Sequence, residues 1–280
     1  MEYIVKTKHD EAHALIDGFL QRHKDRHGGT YQGDLYEYLG ADFVFGQPKT
    51  RAALIGILLN EQRGRCCYCM RRIDRLASDE RTIEHVIVNH PKDSDDYNQY
   101  LGKNSQLDTA DIISSADFLA RQMPPPPYPH SVAYENMLIS CAGHCHLGVG
   151  TSFTCNGRRG HKFIYPLPLM ANVGNEVRYQ KNGFVYWINE TDTENPTIEC
   201  LGLNHDVLKL IRRMWYKLSS MGLDAVNCDR QQLIYEVLGD MLDEGVSDAY
   251  FQTLFLFAKN DWYWSLLFQF DYFNDVSKFI

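Results

Sequence analysis

The sequence predicts an α+β fold: a small strand-bearing core pinned by a structural zinc site of four cysteines, with helical regions on both sides. Three observations lead there. Cysteines fall into two separated groups, Cys66-x-x-Cys69 and later Cys141 with Cys155, and Glu84-His85 and Asn136 lie between them. A short β-branched run, Arg81 to Val88, carries the acid–histidine pair, and alternation within residues 163–200 fits a β-hairpin. Apolar residues at helical spacing dominate up to about residue 62 and again from Asp206 onward.

Taken in order, residues 1–50 form an N-terminal helical and loop region, with an amphipathic helix expected from Ala12 to His23. Gly28-Gly29, Gly33, Gly40 and Gln47-Pro48 mark turns after it. Thr50 reads as the N-cap of a helix from Arg51 to about Gln62, with Leu54, Ile55, Leu58 and Leu59 on its apolar face. Gly64 ends that helix. Arg65 to Asp74 is expected as a zinc-knuckle turn, and Arg81 to Val88 as a strand. Residues 91–131 read as an insertion into a core spanning 51–165, with a helical patch near Asp111 to Gln122 and a surface loop at Pro124 to Pro127. The chain re-enters the core at Tyr134 to Ser140. Residues 166–280 begin with a β-hairpin turning at Asn182-Gly183. Two or three helices follow, rich in aromatic residues.

The composition is that of a globular chain, and no tract reaches the roughly 18 apolar residues of a membrane span. The most apolar stretch, Thr253 to Phe273, is broken by Lys259, Asn260 and Asp261. The opening Met1-Glu2-Tyr3-Ile4-Val5-Lys6 lacks the basic-then-apolar layout of a secretion signal, so a cytoplasmic location is expected. In a reducing compartment, eight cysteines argue for metal rather than disulfides. The formal net charge of −8 disfavours unaided grip on nucleic acid, because phosphate contacts normally need a basic surface.

Cys66 and Cys69 enclose two residues, the spacing with which one tight turn delivers two thiolates to a tetrahedral ion. Cys141 and Cys155 are the favoured second pair. Cys145 competes, and His144 and His146 are also able to bind zinc. Cys67 reads as a packed neighbour. Glu84-His85 at a strand end suits metal-assisted phosphodiester hydrolysis, with the acid on a divalent cation and the imidazole deprotonating water. Alternation points the two side chains to opposite faces, so a bulge or strand end is needed to re-aim one.

Arg65-Cys66-Cys67-Tyr68-Cys69, Thr82-Ile83-Glu84-His85, Glu135-Asn136-Met137-Leu138-Ile139-Ser140-Cys141 and Cys155-Asn156-Gly157-Arg158-Arg159-Gly160 together resemble the HNH endonucleases, whose core is a zinc-bound ββα-metal fold. The nearest subgroup is the nuclease subunit of Septu-type antiphage systems, including retron-associated ones. The resemblance covers roughly residues 50–165. It implies His85 as general base, Asn136 as the residue that holds the metal loop and orients the histidine, and Asn156 as the last position of the triad. It further implies that Glu84 and Asn156 bind Mg²⁺ or Mn²⁺, that Zn²⁺ sits in the thiolate site, and that Arg158, Arg159 and Lys162 contact DNA phosphates. Val86 to Lys92 lack the early proline of the family pattern, which brings in His90 as a substitute or assistant for His85. His144-Cys145-His146 leaves the fourth zinc ligand open and makes His146 a rival for the final metal position.

The resemblance also implies a partner, an ABC/SMC-type ATPase of the same defence system. The aromatic crowding from Trp215 to Phe273 agrees, since it exceeds what a small helical pair buries. A non-catalytic zinc-binding adaptor is the alternative, although an adaptor has no use for Glu84-His85 beside Asn156. A thiol redox protein built on Cys66-x-x-Cys69 lacks the surrounding βαβ pattern.

Overall fold

The computed structural model describes residues 1–91, 94–103, 107–145, 153–194, 196–223 and 227–280. The first predicted helix lies inside α1 (His9–Arg26), whose buried residues Ala12, Ile16, Phe19, Leu20 and His23 recur at helical spacing. Asp10 and Glu11 in its first turn, and Lys24 and Arg26 in its last, match the helix dipole. Turn signals follow, yet α2 (Leu35–Ala41) forms among them. Asp34 starts it by accepting the Tyr36 and Glu37 amides at 2.9 and 3.1 Å.

The next helix, α3 (Thr50–Glu61), occupies the predicted stretch, but Thr50 is not its cap. The hydroxyl instead donates to Asp42 at 2.6 Å. Asp42 is fully buried and also receives Arg22 and Arg26, at 2.5 and 3.2 Å, so this carboxylate fastens α1 to the start of α3.

After the knuckle, β1 (Arg81–His85) is shorter than predicted because Asn136 takes over the backbone that follows. The insertion holds α4 (Ser94–Lys103), β2 (Ile112–Ile113), α5 (Ser115–Arg121) and β3 (Tyr128–Pro129), with β2 and β3 paired in parallel. The helical patch predicted at 111–122 is therefore a brief strand followed by a short helix. Next, β4 (Met137–Cys141) pairs antiparallel with β1, in a register that sets Arg81 opposite Cys141 and His85 opposite Met137. The far edge of β4 is closed by Gln62, whose amide group exchanges two 2.7 Å hydrogen bonds with the Ile139 backbone.

A short helix, α6 (Cys155–Arg159), follows, then α7 (Val173–Glu176) and the predicted hairpin of β5 (Val177–Tyr179) and β6 (Val185–Trp187). Gly183 in its turn has φ +85°, and a Cβ there would lie 1.9 Å from the Lys209 carbonyl oxygen, so only glycine fits. The remainder is α8 (Thr197–Cys200), α9 (Asp206–Ser220), α10 (Arg230–Glu244), α11 (Asp248–Lys259) and α12 (Asp261–Leu267), ending in 3₁₀ turns. Asn260 separates the last two helices and caps the second by accepting the Trp262 amide at 2.9 Å.

With 50% helix, 10% strand and only two-stranded sheets among the described residues, the architecture is α+β. Buried apolar residues from all three regions belong to one cluster running from Met1 to Phe279. The C-terminal region sits directly on the knuckle. Arg65 and Arg72 each pair with Asp271 at 3.0 Å, and Arg71 donates to Gln269 at 2.6 Å. Of the aromatic residues in this region, Trp215, Tyr250, Phe257, Tyr263, Phe270, Tyr272 and Phe273 are buried. Tyr235 and Phe255 remain exposed. Among the described residues, no helix is long and apolar enough to cross a membrane.

Candidate functional site

The knuckle begins where Arg63 and Gly64 turn with positive φ and closes at Met70, also left-handed, with the Cys66 amide bonded to the Arg71 carbonyl at 2.8 Å. This turn presents Cys66 and Cys69 to one side. Cys141 ends β4 and Cys155 begins α6. The loop between them returns at Gly143, whose carbonyl accepts the Thr154 amide at 3.0 Å; a Cβ on Gly143 would stand 2.0 Å from the Thr154 oxygen.

The four sulfurs lie within 4.8 Å of one another, with Cys66–Cys155 at 3.8 Å and Cys69–Cys141 at 3.7 Å. Zinc–sulfur bonds of about 2.3 Å in a tetrahedron give edges of about 3.8 Å. These four buried thiols have the geometry to hold a zinc ion, and the closed all-sulfur set suits a structural ion rather than a catalytic one. Burial pushes the Cys69 and Cys155 thiols well up. Burial also opposes ionisation of Cys66, but hydrogen bonds from the neighbouring thiols outweigh it and hold Cys66 well below the ordinary range.

Cys145 and His144 lie beside the cluster but outside the group of four sulfurs. Cys145 is 3.3 Å from the Thr154 hydroxyl, and burial pushes its thiol up to about 12. His144 is exposed beside Phe153, and Cys67 packs with its amide on the Ile139 carbonyl at 3.0 Å. His146 lies outside the described residues.

No bulge re-aims Glu84 or His85. They point to opposite sides of β1 and both sides are buried. Glu84 is 2% exposed, accepts from the Tyr68 hydroxyl at 3.0 Å, and is ion-paired with Arg159. Arg159 also donates to the His85 and Val86 carbonyls, at 2.6 and 2.7 Å. Burial opposes the Arg159 charge, but Glu84 outweighs it and raises the guanidinium's affinity for its proton. One expectation is thereby corrected: Arg159 faces inward, paired with Glu84, instead of toward DNA.

His85 donates from Nε2 to the Ser131 carbonyl at 2.9 Å and stands edge-on to Tyr36 with ring centres 4.6 Å apart. Burial is the main cause that pushes it down to about 3, with His130, Arg159 and Arg51 adding to the effect. The ring is therefore neutral, with its proton on Nε2 and its lone pair on Nδ1.

Asn136 is wholly buried and clamps two segments. It accepts from the Ile87 amide at 2.6 Å and donates to the Ile87 and His130 carbonyls at 2.9 and 2.8 Å. Ile87 lies two residues after His85, and His130 immediately precedes the Ser131 carbonyl that the imidazole uses. Asn136 thus positions His85 through the backbone on both sides and makes no bond to the ring.

Asn156 is half-buried on α6, and among the described residues its side chain makes no hydrogen bond to Glu84 or His85. Arg158 is exposed and donates to the Glu199 carbonyl at 3.0 Å, while Lys162 is exposed. His90 lies 3.3 Å from Asp34 at the surface, on a cleft of about 420 Å³ that includes His130 and Ser131. Tyr68, Ser131 and the inward Arg159 escape the sequence reading. The one signal for Arg159 is its position four residues after Cys155, on the same side of α6 as that buried ligand.

No protein-family model matches this chain, and no curated protein matches it either.

Proposed function

We propose that this chain is a zinc-stapled HNH-type endonuclease that hydrolyses DNA as the effector of a Septu-like, retron-associated antiphage system. The observation that carries the reading is the shared staple. An antiparallel strand pair and the helix after it are joined by Cys141 and Cys155 to a CxxC knuckle, and this unit carries His85, Asn136 and Asn156. What supports the base role is orientation: His85 is held by a carbonyl at Nε2, which leaves Nδ1 as the atom to take a proton from water. Burial lowers its basicity, so the role requires the ring to meet water once substrate is bound. Asn136 holds the backbone around it. Arg158 and Lys162 are the basic side chains left at the surface of α6 and just beyond it for phosphate contact.

A hard cation, Mg²⁺ or Mn²⁺, belongs to this class of reaction and supplies charge stabilisation at the phosphate when bound. The expected ligands do not fit it as folded: Glu84 is neutralised by Arg159 and shut from solvent, and the Asn156 side chain is not joined to it. That same observation favours the second reading, a zinc-stapled adaptor without catalysis. The ATPase partner is supported by Tyr235, Leu242 and Phe255, apolar side chains half or more exposed on α10 and α11.

The test is plasmid cleavage in Mg²⁺ or Mn²⁺ by the purified protein, alone and with a cognate ABC/SMC-type ATPase. Nicked or linear products support the nuclease. Intact plasmid under every condition, with the complex formed, rejects it in favour of the adaptor.

A further inference from the structure

Away from the thiol cluster, α1 brings His9 and His13, one turn apart on the same face, against Glu135 in the 3₁₀ turn Tyr134–Asn136. His9 Nδ1 and His13 Nε2 lie 3.0 and 2.8 Å from the same oxygen, Glu135 Oε1. The three ligand atoms are all within 4.8 Å of one another.

The hydrogen-bond inventory of this group does not close by itself. His9 Nε2 is 3.0 Å from the Lys6 carbonyl, so a neutral His9 ring spends its only proton there and turns the Nδ1 lone pair toward a carboxylate oxygen. Glu135 is 6% exposed, and its other oxygen, Oε2, is buried without a hydrogen-bond partner. The nearby Lys6 ammonium donates to the Tyr134 and Met137 carbonyls instead. Among the described residues, the ion-pair partners of Glu135 are these two histidines. A buried carboxylate facing two imidazole nitrogens, one ring anchored through its other nitrogen to a backbone carbonyl, is the arrangement metal-ligating histidines adopt.

We propose that His9, His13 and Glu135 form a second metal site, taking a borderline first-row divalent cation of the Zn²⁺ class. In a tetrahedron, bonds of about 2.0–2.2 Å place ligand atoms about 3.3–3.6 Å apart, so the two imidazole nitrogens would draw back from Glu135 Oε1 by roughly half an ångström to admit the ion. The two imidazoles and one carboxylate leave coordination open to water, and His9, at 43% exposure, faces the solvent. The surrounding rings fix the ligands: His13 stacks on Tyr128 with centres 4.5 Å apart, and His9 stands edge-on to Tyr134 at 5.3 Å. The ion would fasten α1 to the turn that leads into Asn136. The site is separate from the thiol cluster and from His85, and it stands whether or not the chain is a nuclease.

The experiment is Co²⁺ titration of metal-free full-length protein, with excess Mg²⁺ present to fill hard-cation positions. Wild type is expected to bind two equivalents. One develops intense thiolate-to-cobalt charge-transfer absorption, and the other only the weak ligand-field bands of nitrogen and oxygen ligation. His13→Ala and Glu135→Gln are expected to bind one equivalent and keep the charge-transfer band. A wild type that stops at one equivalent overturns the proposal, and this holds even if the variants fail to fold. Two equivalents in folded His13→Ala overturn it as well.

Discussion

Arg159 and Glu84 close on each other inside the protein, each only 2% exposed, and the same guanidinium holds the His85 and Val86 carbonyls. The pair joins α6 to the end of β1. It converts a residue expected to bind a cation and a residue expected to bind DNA into one internal brace.

Removing one member of that brace leaves an uncompensated buried charge. Arg159→Met is expected to cost about 3–5 kcal/mol, while the double variant Glu84→Leu, Arg159→Met recovers most of the loss. Denaturant unfolding of the two variants beside wild type checks this. A single variant within about 0.5 kcal/mol of wild type would show that the pair is not formed.

The thiol cluster makes a sharper claim, because it separates four cysteines from their neighbours. Cys69→Ser and Cys155→Ser should lose the thiolate-bound zinc and lower the Tm by on the order of 10 °C. Cys67→Ser and Cys145→Ser should keep that ion. Zinc content with thermal unfolding reads both outcomes, and loss of the thiolate ion in Cys145→Ser would reassign the fourth ligand.

Acid should act through His85. In the folded protein burial pushes it down to about 3, whereas an unfolded histidine titrates near 6.5. Between those values unfolding takes up a proton, so stability falls as pH drops from about 6.5 toward 3. The slope is up to about 1.4 kcal/mol per pH unit. Above about pH 6.5 this contribution is constant. His85→Gln keeps a donor for Ser131 but cannot titrate, so its stability should fall less steeply between pH 6.5 and 5 than that of wild type. Equal slopes in urea unfolding would mean that the ring is not buried in its neutral form.

How much of this was legible follows from the range of the interactions. The CxxC spacing is local chemistry, and Cys66, Cys69, Cys141 and Cys155 come together as expected. The helix carrying Leu54 and Leu58, and the hairpin at Gly183, rest on periodicity and turn chemistry within a few residues. The Thr50 hydroxyl was misread because Asp42, buried and already facing two arginines, competes for it better than a helix end does. Glu84 with Arg159 is separated by 75 residues, and Glu135 with His13 by 122, so no sequence window contains either pair. The bonds of Asn136 to the backbone at Ile87 and His130 depend on how the insertion folds back, which no sequence window contains.

If His85 is the general base of a nuclease, cleavage depends on its imidazole. The most direct measurement is single-turnover cleavage of supercoiled plasmid by wild type, His85→Ala, and His85→Ala with added imidazole, all zinc-loaded and with matched thermal stability. Wild type is expected to cut, the substitution to lose at least about 100-fold, and imidazole to restore part of the activity. Cleavage by His85→Ala at the wild-type rate would contradict that role.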